Sequence, residues 1–215
     1  GGIHRSTDGG VTWLRKNLLL TAYAIHLLFY SSAIQTLFLG SNMGFWFLEA
    51  GSVWTEIATP FAFFWVTAMA ATTTYLYVAT SFQGMWRLTR STGVWTEINN
   101  GLTSLFTTAI VITALGHLFV ATSGGGGFRS INNGDLWEEF NIGLTSLFVS
   151  ALVLHPLGYL FAATSNGIFR MNFAVLTWVA VVSGLTTLSV THMALSSFGI
   201  LFAATFGGGI FRSTD

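Results

Sequence analysis

The acids that could do chemistry are Asp8, Asp135, Asp215, Glu49, Glu56, Glu97, Glu138 and Glu139. Paired carboxylates facing one cleft would suit glycoside hydrolysis. The arginines Arg5, Arg87, Arg129, Arg170 and Arg212 could converge on an anionic group. The histidines are His4, His26, His117, His155 and His192, and no pair has metal-ligand spacing, so no metal site is expected. The absence of cysteine excludes disulfide and thiolate chemistry. Glycine runs at 124–127 and 207–209 precede no predicted helix, so they read as hairpin turns and not as phosphate loops.

What those residues can do depends on where the chain places them. Trp13, Trp54, Trp95, Trp137 and Trp178 are spaced 41, 41, 42 and 41 residues apart. The arginines recur near the same period, with Trp46 at the equivalent place in the second repeat. So does the segment LYVATS at 76–81, LFVATS at 118–123, LFAATS at 160–165 and LFAATF at 201–206. Within a period, short β-branched and aromatic runs alternate with Gly-, Asn- and Ser-rich turns, which predicts four strands. Four-stranded units at about 40 residues predict an all-β protein, a β-propeller of five blades. The expected repeats are 1–42, 43–81, 82–123, 124–165 and 166–206 of a single domain spanning 1–215, with 207–215 repeating the start. GGIFRSTD at 208–215 nearly duplicates GGIHRSTD at 1–8. The N-terminal VTW strand is therefore expected to complete the last blade and close the ring; the alternative is that these residues are a window of a longer propeller.

Each tryptophan ends a turn. The best copy places Ser6, Asp8, Gly10, Thr12 and Trp13 in the pattern S-x-D-x-G-x-T-W. Ser and Asp side chains there can accept bonds from backbone N–H groups, and Gly supplies a positive φ. The tryptophan is expected to anchor the hairpin by burying its ring. A second copy keeps Ser130, Asn132, Gly134 and Trp137. The others have decayed: Glu49, Gly51 and Trp54 remain in one, Arg90 stands where Asp is expected in another, and 171–178 has lost the pattern. The motif resembles the Asp box, or BNR repeat, of β-propellers such as sialidases, sortilin-type receptors and YCF48-like assembly factors. The resemblance implies a propeller fold, and it implies a structural turn in place of a catalytic site.

On this plan the acids fall on outermost strands or beside the box turns, and none on an innermost strand. No catalytic residue and no cofactor is expected. Arginines repeated blade by blade are expected to cap turn carbonyls or pair with fourth-strand glutamates. The loops entering each blade and the turns between second and third strands emerge on one side of the ring. That side carries Asn99, Asn100, Thr103, Ser104, Asn141, Thr145, Ser146, Ser165 and Asn166, which suit a glycan or a protein surface. Eight basic and eight acidic residues balance to zero, which argues against nucleic acid. Charged residues make up 7% of the chain, against about 25% in ordinary soluble domains. That composition leaves three readings: burial in a homo-oligomer or larger assembly, a chain that faces lipid, or a designed repeat sequence. Segments 17–39 and 60–82 are uncharged and of spanning-helix length, but both carry the strand–turn–strand pattern, so no transmembrane span is expected. The reading is a non-catalytic scaffold or recognition module, secreted or at the cell surface. A sialidase-like glycoside hydrolase and a membrane-associated assembly factor are its alternatives.

Overall fold

A computed structural model describes residues 3–16, 25–41, 44–49, 53–60 and 65–213. Gly51, Asp215 and the loop at 17–24 lie outside the described residues. The first ladder is a hairpin, β1 (His4–Arg5) with β2 (Leu14–Arg15). Four antiparallel sheets of four strands follow. They are β3 (Ile25–Ser31), β4 (Thr36–Ser41), β5 (Phe45–Glu49) and β6 (Thr55–Ile57); β7 (Val66–Ala71), β8 (Tyr75–Thr80), β9 (Met85–Thr89) and β10 (Val94–Glu97). They continue with β11 (Thr107–Ile112), β12 (Leu118–Thr122), β13 (Gly126–Ser130) and β14 (Glu138–Glu139); β15 (Val149–His155), β16 (Tyr159–Thr164), β17 (Gly167–Asn172) and β18 (Trp178–Ala180). The last sheet has three strands, β19 (Val190–Leu195), β20 (Leu201–Thr205) and β21 (Gly209–Arg212). The sheets are the blades of an all-β, five-bladed propeller, and the described residues contain no helix.

The second strand of each blade makes the core. β8, β12 and β16 are buried along nearly their whole length. A strand paired on both edges and covered on both faces must be apolar throughout, which is why these segments read LYVAT, LFVAT and LFAAT without polar alternation. β20 has the same sequence character but is less buried. Among the described residues β3 packs on β7, β7 on β11, β11 on β15 and β15 on β19, with no comparable packing of β19 on β3.

The segments 17–39 and 60–82 supply β3, β4, β7 and β8 within their described parts. Among the described residues no helix is long and apolar enough to cross a membrane.

The chain ends differ from expectation. Val11–Trp13 is not a strand, and β2 pairs with β1 in the register Arg5↔Leu14 and His4↔Arg15. No ladder joins β2 to β21 among the described residues. The reason is local: His4–Arg5 lies eight residues upstream of Trp13 and takes the edge of β2 that β21 would need.

Every innermost strand carries a bulge at one repeated place, at His26, Thr67, Thr108, Ser150 and Thr191. A bulge re-aims a side chain out of the alternation of its strand. Here it aims a hydroxyl at the next blade. Thr67 donates to the carbonyl of Thr107 (2.7 Å), Thr108 to that of Val149 (2.7 Å), and Ser150 to that of Val190 (2.8 Å). Thr191, in the last blade, donates back to Ala204 of its own sheet at 3.2 Å. The sequence carried a signal for this belt, Thr/Ser at 67, 108, 150 and 191, but its purpose depends on a bulge that only the register shows.

Candidate functional site: the loop face of the propeller

Two kinds of turn crown opposite faces of a four-stranded antiparallel blade. The boxes lie between third and fourth strands. In the first, the Ser6 hydroxyl accepts from the Gly10 N–H at 2.8 Å and the Asp8 carboxylate accepts from the Thr12 N–H at 3.0 Å. In the second, Ser130 accepts from the Gly134 N–H at 2.9 Å and Asn132 from the Leu136 N–H at 3.1 Å. These side chains are committed to backbone groups, as a structural turn requires.

The tryptophans do something the motif alone does not say. The Trp137 indole donates to the Ile98 carbonyl at 2.7 Å, Trp178 to Phe140 at 2.8 Å, Trp95 to Ala58 at 2.9 Å and Trp54 to Lys16 at 3.2 Å. Each acceptor closes the outer strand of the preceding blade. The ring is thus a staple between blades more than an anchor within a hairpin. Trp13 departs from the set: it is 60% exposed and donates to Gly10 of its own turn.

Hydrogen bonds from Thr12 and Ser6 hold the Asp8 carboxyl well below its ordinary value of 3.8. A folded value below the unfolded one stabilises the turn at all pH above 3.8 and loses that contribution as the pH falls below it. The Thr12 amide resonance is therefore expected to stay fixed as pH drops through 3.8 and to move only at more acid pH. In Asp8→Asn it should not titrate, since Asn132 makes the equivalent bond without a charge. Following that resonance by NMR from neutral to acid pH checks both.

The opposite face holds the predicted ligand residues. Asn99 accepts from the Met85 N–H at 2.7 Å and donates to the Gln83 carbonyl at 2.9 Å. Asn141 repeats this with the Gly127 N–H at 2.7 Å and the Gly125 carbonyl at 3.1 Å. Asn100 donates to the Asp135 carbonyl (3.3 Å) and Ser104 to that of Ser123 (3.1 Å). Thr103 donates to Glu139 at 3.2 Å. Two polar pairs remain at the surface: Ser146 with Ser165 at 2.8 Å, and Asn166 donating to Thr145 at 2.6 Å. Most of these groups tie loops to turns.

What the face presents instead is apolar. Trp65, Phe106 and Phe148 immediately precede β7, β11 and β15, and Phe82 and Phe206 follow β8 and β20. All are exposed, Phe82 and Phe148 at 63% and 60%. Phe82 and Phe106 meet edge to face at 5.1 Å, and Trp65 stacks on His26 at 4.5 Å. Leu105 and Leu147 are exposed beside them. Their carbonyls accept from Gly84 and from Gly124 and Gly126, so each loop is sealed to the blade before it. Aromatics near these loops are visible in the sequence, but Phe and Leu at a strand start read as core, so their exposure follows only from the structure.

The charged side chains lie elsewhere. Arg87 donates to Asp135 at 2.8 Å and to the Asn133 carbonyl, linking one blade to the box of the next. Arg129 pairs with Glu138 at 3.0 Å, and Arg170 lies over the Tyr159 ring at 4.9 Å. Glu56, Glu97, Glu138 and Glu139 are on fourth strands. His26 and His192 are on innermost strands, and no group of three metal-ligating side chains occurs among the described residues.

No protein-family model and no curated protein matches this chain. Solved structures do. The extracellular domain of a putative hybrid two-component system from B. thetaiotaomicron superposes with a TM-score of 0.72 at 18% identity, covering 89% of this chain and 29% of that one. YCF48 bound to D1 peptide gives 0.69 at 16% identity, covering 92% and 67%. An ancestral GH74 enzyme gives 0.78 at 14% identity, covering 98% and 33%. The likeness is one of fold. These neighbours are β-propellers, and they include an enzyme, a peptide-binding protein and an extracellular domain. This chain spans about three tenths of the length of each of two structures of that extracellular domain.

Proposed function

We propose that the chain is a non-catalytic recognition module that binds an apolar segment of another protein on its loop face. The observation that carries this is the exposed collar of Trp65, Phe82, Phe106, Phe148 and Phe206 around loops whose amides are already spent on backbone. Exposed aromatics rimmed by polar groups mark interaction sites. The dispersal of the described acids over outer strands and box turns supports a binding role over a hydrolytic one. The fold neighbour titled as bound to a peptide supports a protein partner. A glycan is the second reading, favoured by the exposed Ser146–Ser165 and Asn166–Thr145 pairs beside Phe148, since sugars stack on rings and bond hydroxyls. The low charge supports placement in a larger assembly, secreted or at a cell surface.

A displayed library of random peptides and a glycan array test the two readings side by side. The peptide arm is expected to return sequences rich in aromatic and aliphatic residues. Phe106→Asp with Phe148→Asp should weaken those binders by at least about tenfold with the melting curve unchanged. Peptide binding that ignores both substitutions would overturn the proposal, and binding confined to glycans would replace it with the second reading.

A further inference from the structure

The inner hairpins, which join the first and second strands of each blade, share a face with the boxes. Three of them turn alike. The Gly116 N–H donates to the Thr113 carbonyl at 2.9 Å, Gly158 to His155 at 3.0 Å and Gly199 to Ser196 at 3.1 Å. The three glycines have φ of +79°, +81° and +82°. The residues before them are Leu115, Leu157 and Phe198, spaced 42 and 41 apart as the box tryptophans of the same blades are. Turn chemistry favours Asn, Asp, Ser or Gly at such an apex. Packing does not account for apolar residues there either, since the three are 82%, 77% and 90% exposed.

The tips are held in place. The Leu157 N–H donates to His155 Nδ1 at 3.1 Å, so Nε2 carries the ring proton and donates to the Gly199 carbonyl at 3.1 Å. One imidazole thus joins the hairpins of two blades. Ile131 and Val175 are exposed in box turns of the same face. The β7–β8 hairpin has Thr72–Thr74 in place of an apolar apex, and a cation stands on it. Arg90, at the box position where Asp is expected, donates its N–H to the Thr74 carbonyl at 3.0 Å and its guanidinium to the Thr73 carbonyl at 2.6 Å. Neither ion pair among the described residues includes it. The three apolar hairpins hold no acid, and the box acids Asp8 and Asp135 are engaged by Thr12 and Arg87.

We propose that this face docks on a lipid bilayer bearing anionic headgroups. Leu115, Leu157 and Phe198 enter the interface between headgroups and acyl chains, and the Arg90 guanidinium meets a lipid phosphate. The spacing favours lipid over protein. The tips are single side chains, one to a blade, with the polar backbone of a turn around each. A protein partner would need a separate pocket for each tip at the spacing of the blades, whereas a fluid interface admits each one independently. Charge favours it as well: a cation without a carboxylate stands on the fourth hairpin, and no acid on the apolar three repels a negative surface. The orientation leaves the aromatic collar of the loop face pointing away from the bilayer and open to a partner.

Flotation with vesicles of phosphatidylcholine, alone and mixed with phosphatidylserine, tests this. The chain is expected to float with the mixed vesicles. Leu115→Ser, Leu157→Ser and Phe198→Ser together should weaken that binding by at least about tenfold. All three side chains are exposed, so the melting curve should not move. Arg90→Gln should weaken binding about fivefold on the mixed vesicles and leave binding to phosphatidylcholine alone unchanged. Because the chain has no cysteine, Leu115→Cys carrying a polarity-sensitive dye reads insertion directly, as a blue shift of emission on the mixed vesicles. Several results would overturn the proposal: no flotation, flotation that ignores the triple substitution, or no shift of the dye. Loss of flotation in Phe106→Asp with Phe148→Asp, with the triple variant still floating, would overturn it too and move the lipid contact to the loop face. Self-association abolished by the triple substitution, without flotation of the parent, would make a second copy the occupant.

Discussion

Trp137→Ala is expected to cost about 3–5 kcal/mol of folding stability, the range for truncating a buried aromatic. Trp137 is 2% exposed and sits in the cluster formed by Leu118, Val120, Phe128, Ile98 and Met85, residues of two successive blades. Truncation leaves a cavity at the seam between them and removes the bond to the Ile98 carbonyl, which is then buried without that donor. Trp137→Phe separates the two contributions. It keeps most of the buried area and loses the indole N–H, so a loss nearer 1–2 kcal/mol is expected. Equilibrium urea unfolding followed by far-UV circular dichroism measures both. Equal losses in the two variants would mean that the bond, and not the volume, governs the seam. A loss below about 1 kcal/mol in Trp137→Ala would place the tryptophan outside the cooperative core.

That expectation rests on something the sequence shows only in part. The 41-residue spacing of the tryptophans was enough to set the number of blades, because turn chemistry is local and each box sits at the same point of a repeat. The direction in which each indole points is not local. Its acceptor lies 37 to 39 residues upstream, at the end of another sheet, so the role of interblade staple follows only from packing. The bulge hydroxyls Thr67, Thr108 and Ser150 are hidden for the same reason, since a slip of register at one residue decides whether a side chain faces its own sheet or the next. The loop face was legible as a location, because strand alternation fixes which turns share a side. Its chemistry was not. Asn99 and Asn141 look like ligand groups until the turns at Gln83–Met85 and Gly125–Gly127 fold back to bond them, and the phenylalanines that are exposed look like core until the strand starts are placed.

Gly143→Ala tests the other half of that point. Gly143 lies in the loop NIGLTS, where a glycine reads from the sequence as a turn residue of positive φ and nothing local shows what it packs against. Its φ is +93°, and a Cβ built there would lie 2.1 Å from the Trp178 carbonyl oxygen. That oxygen is backbone of the adjoining blade, so it cannot rotate away as a side chain would. Gly101 repeats the arrangement against the Trp137 carbonyl, at φ +93° and 2.2 Å. The next loop along, which seats Trp178, is bonded from the same side: the Trp178 N–H donates to Ile142 at 2.9 Å, beside Gly143. Any methyl at 143 must therefore push the loop off the strand that holds the staple. Strain at a positive φ adds about 1 kcal/mol or more. The expected loss is about 2–4 kcal/mol, the scale of overpacking a site with no room to relax together with that strain. Ala at Gly116, with φ +79° but nothing within 4 Å of its Cβ, isolates the backbone part alone and should cost about 1 kcal/mol. Urea midpoints of the two variants against the parent decide it. If the two cost the same, the close approach to Trp178 contributes nothing, and the glycine of the loop serves its turn and not the seam between blades.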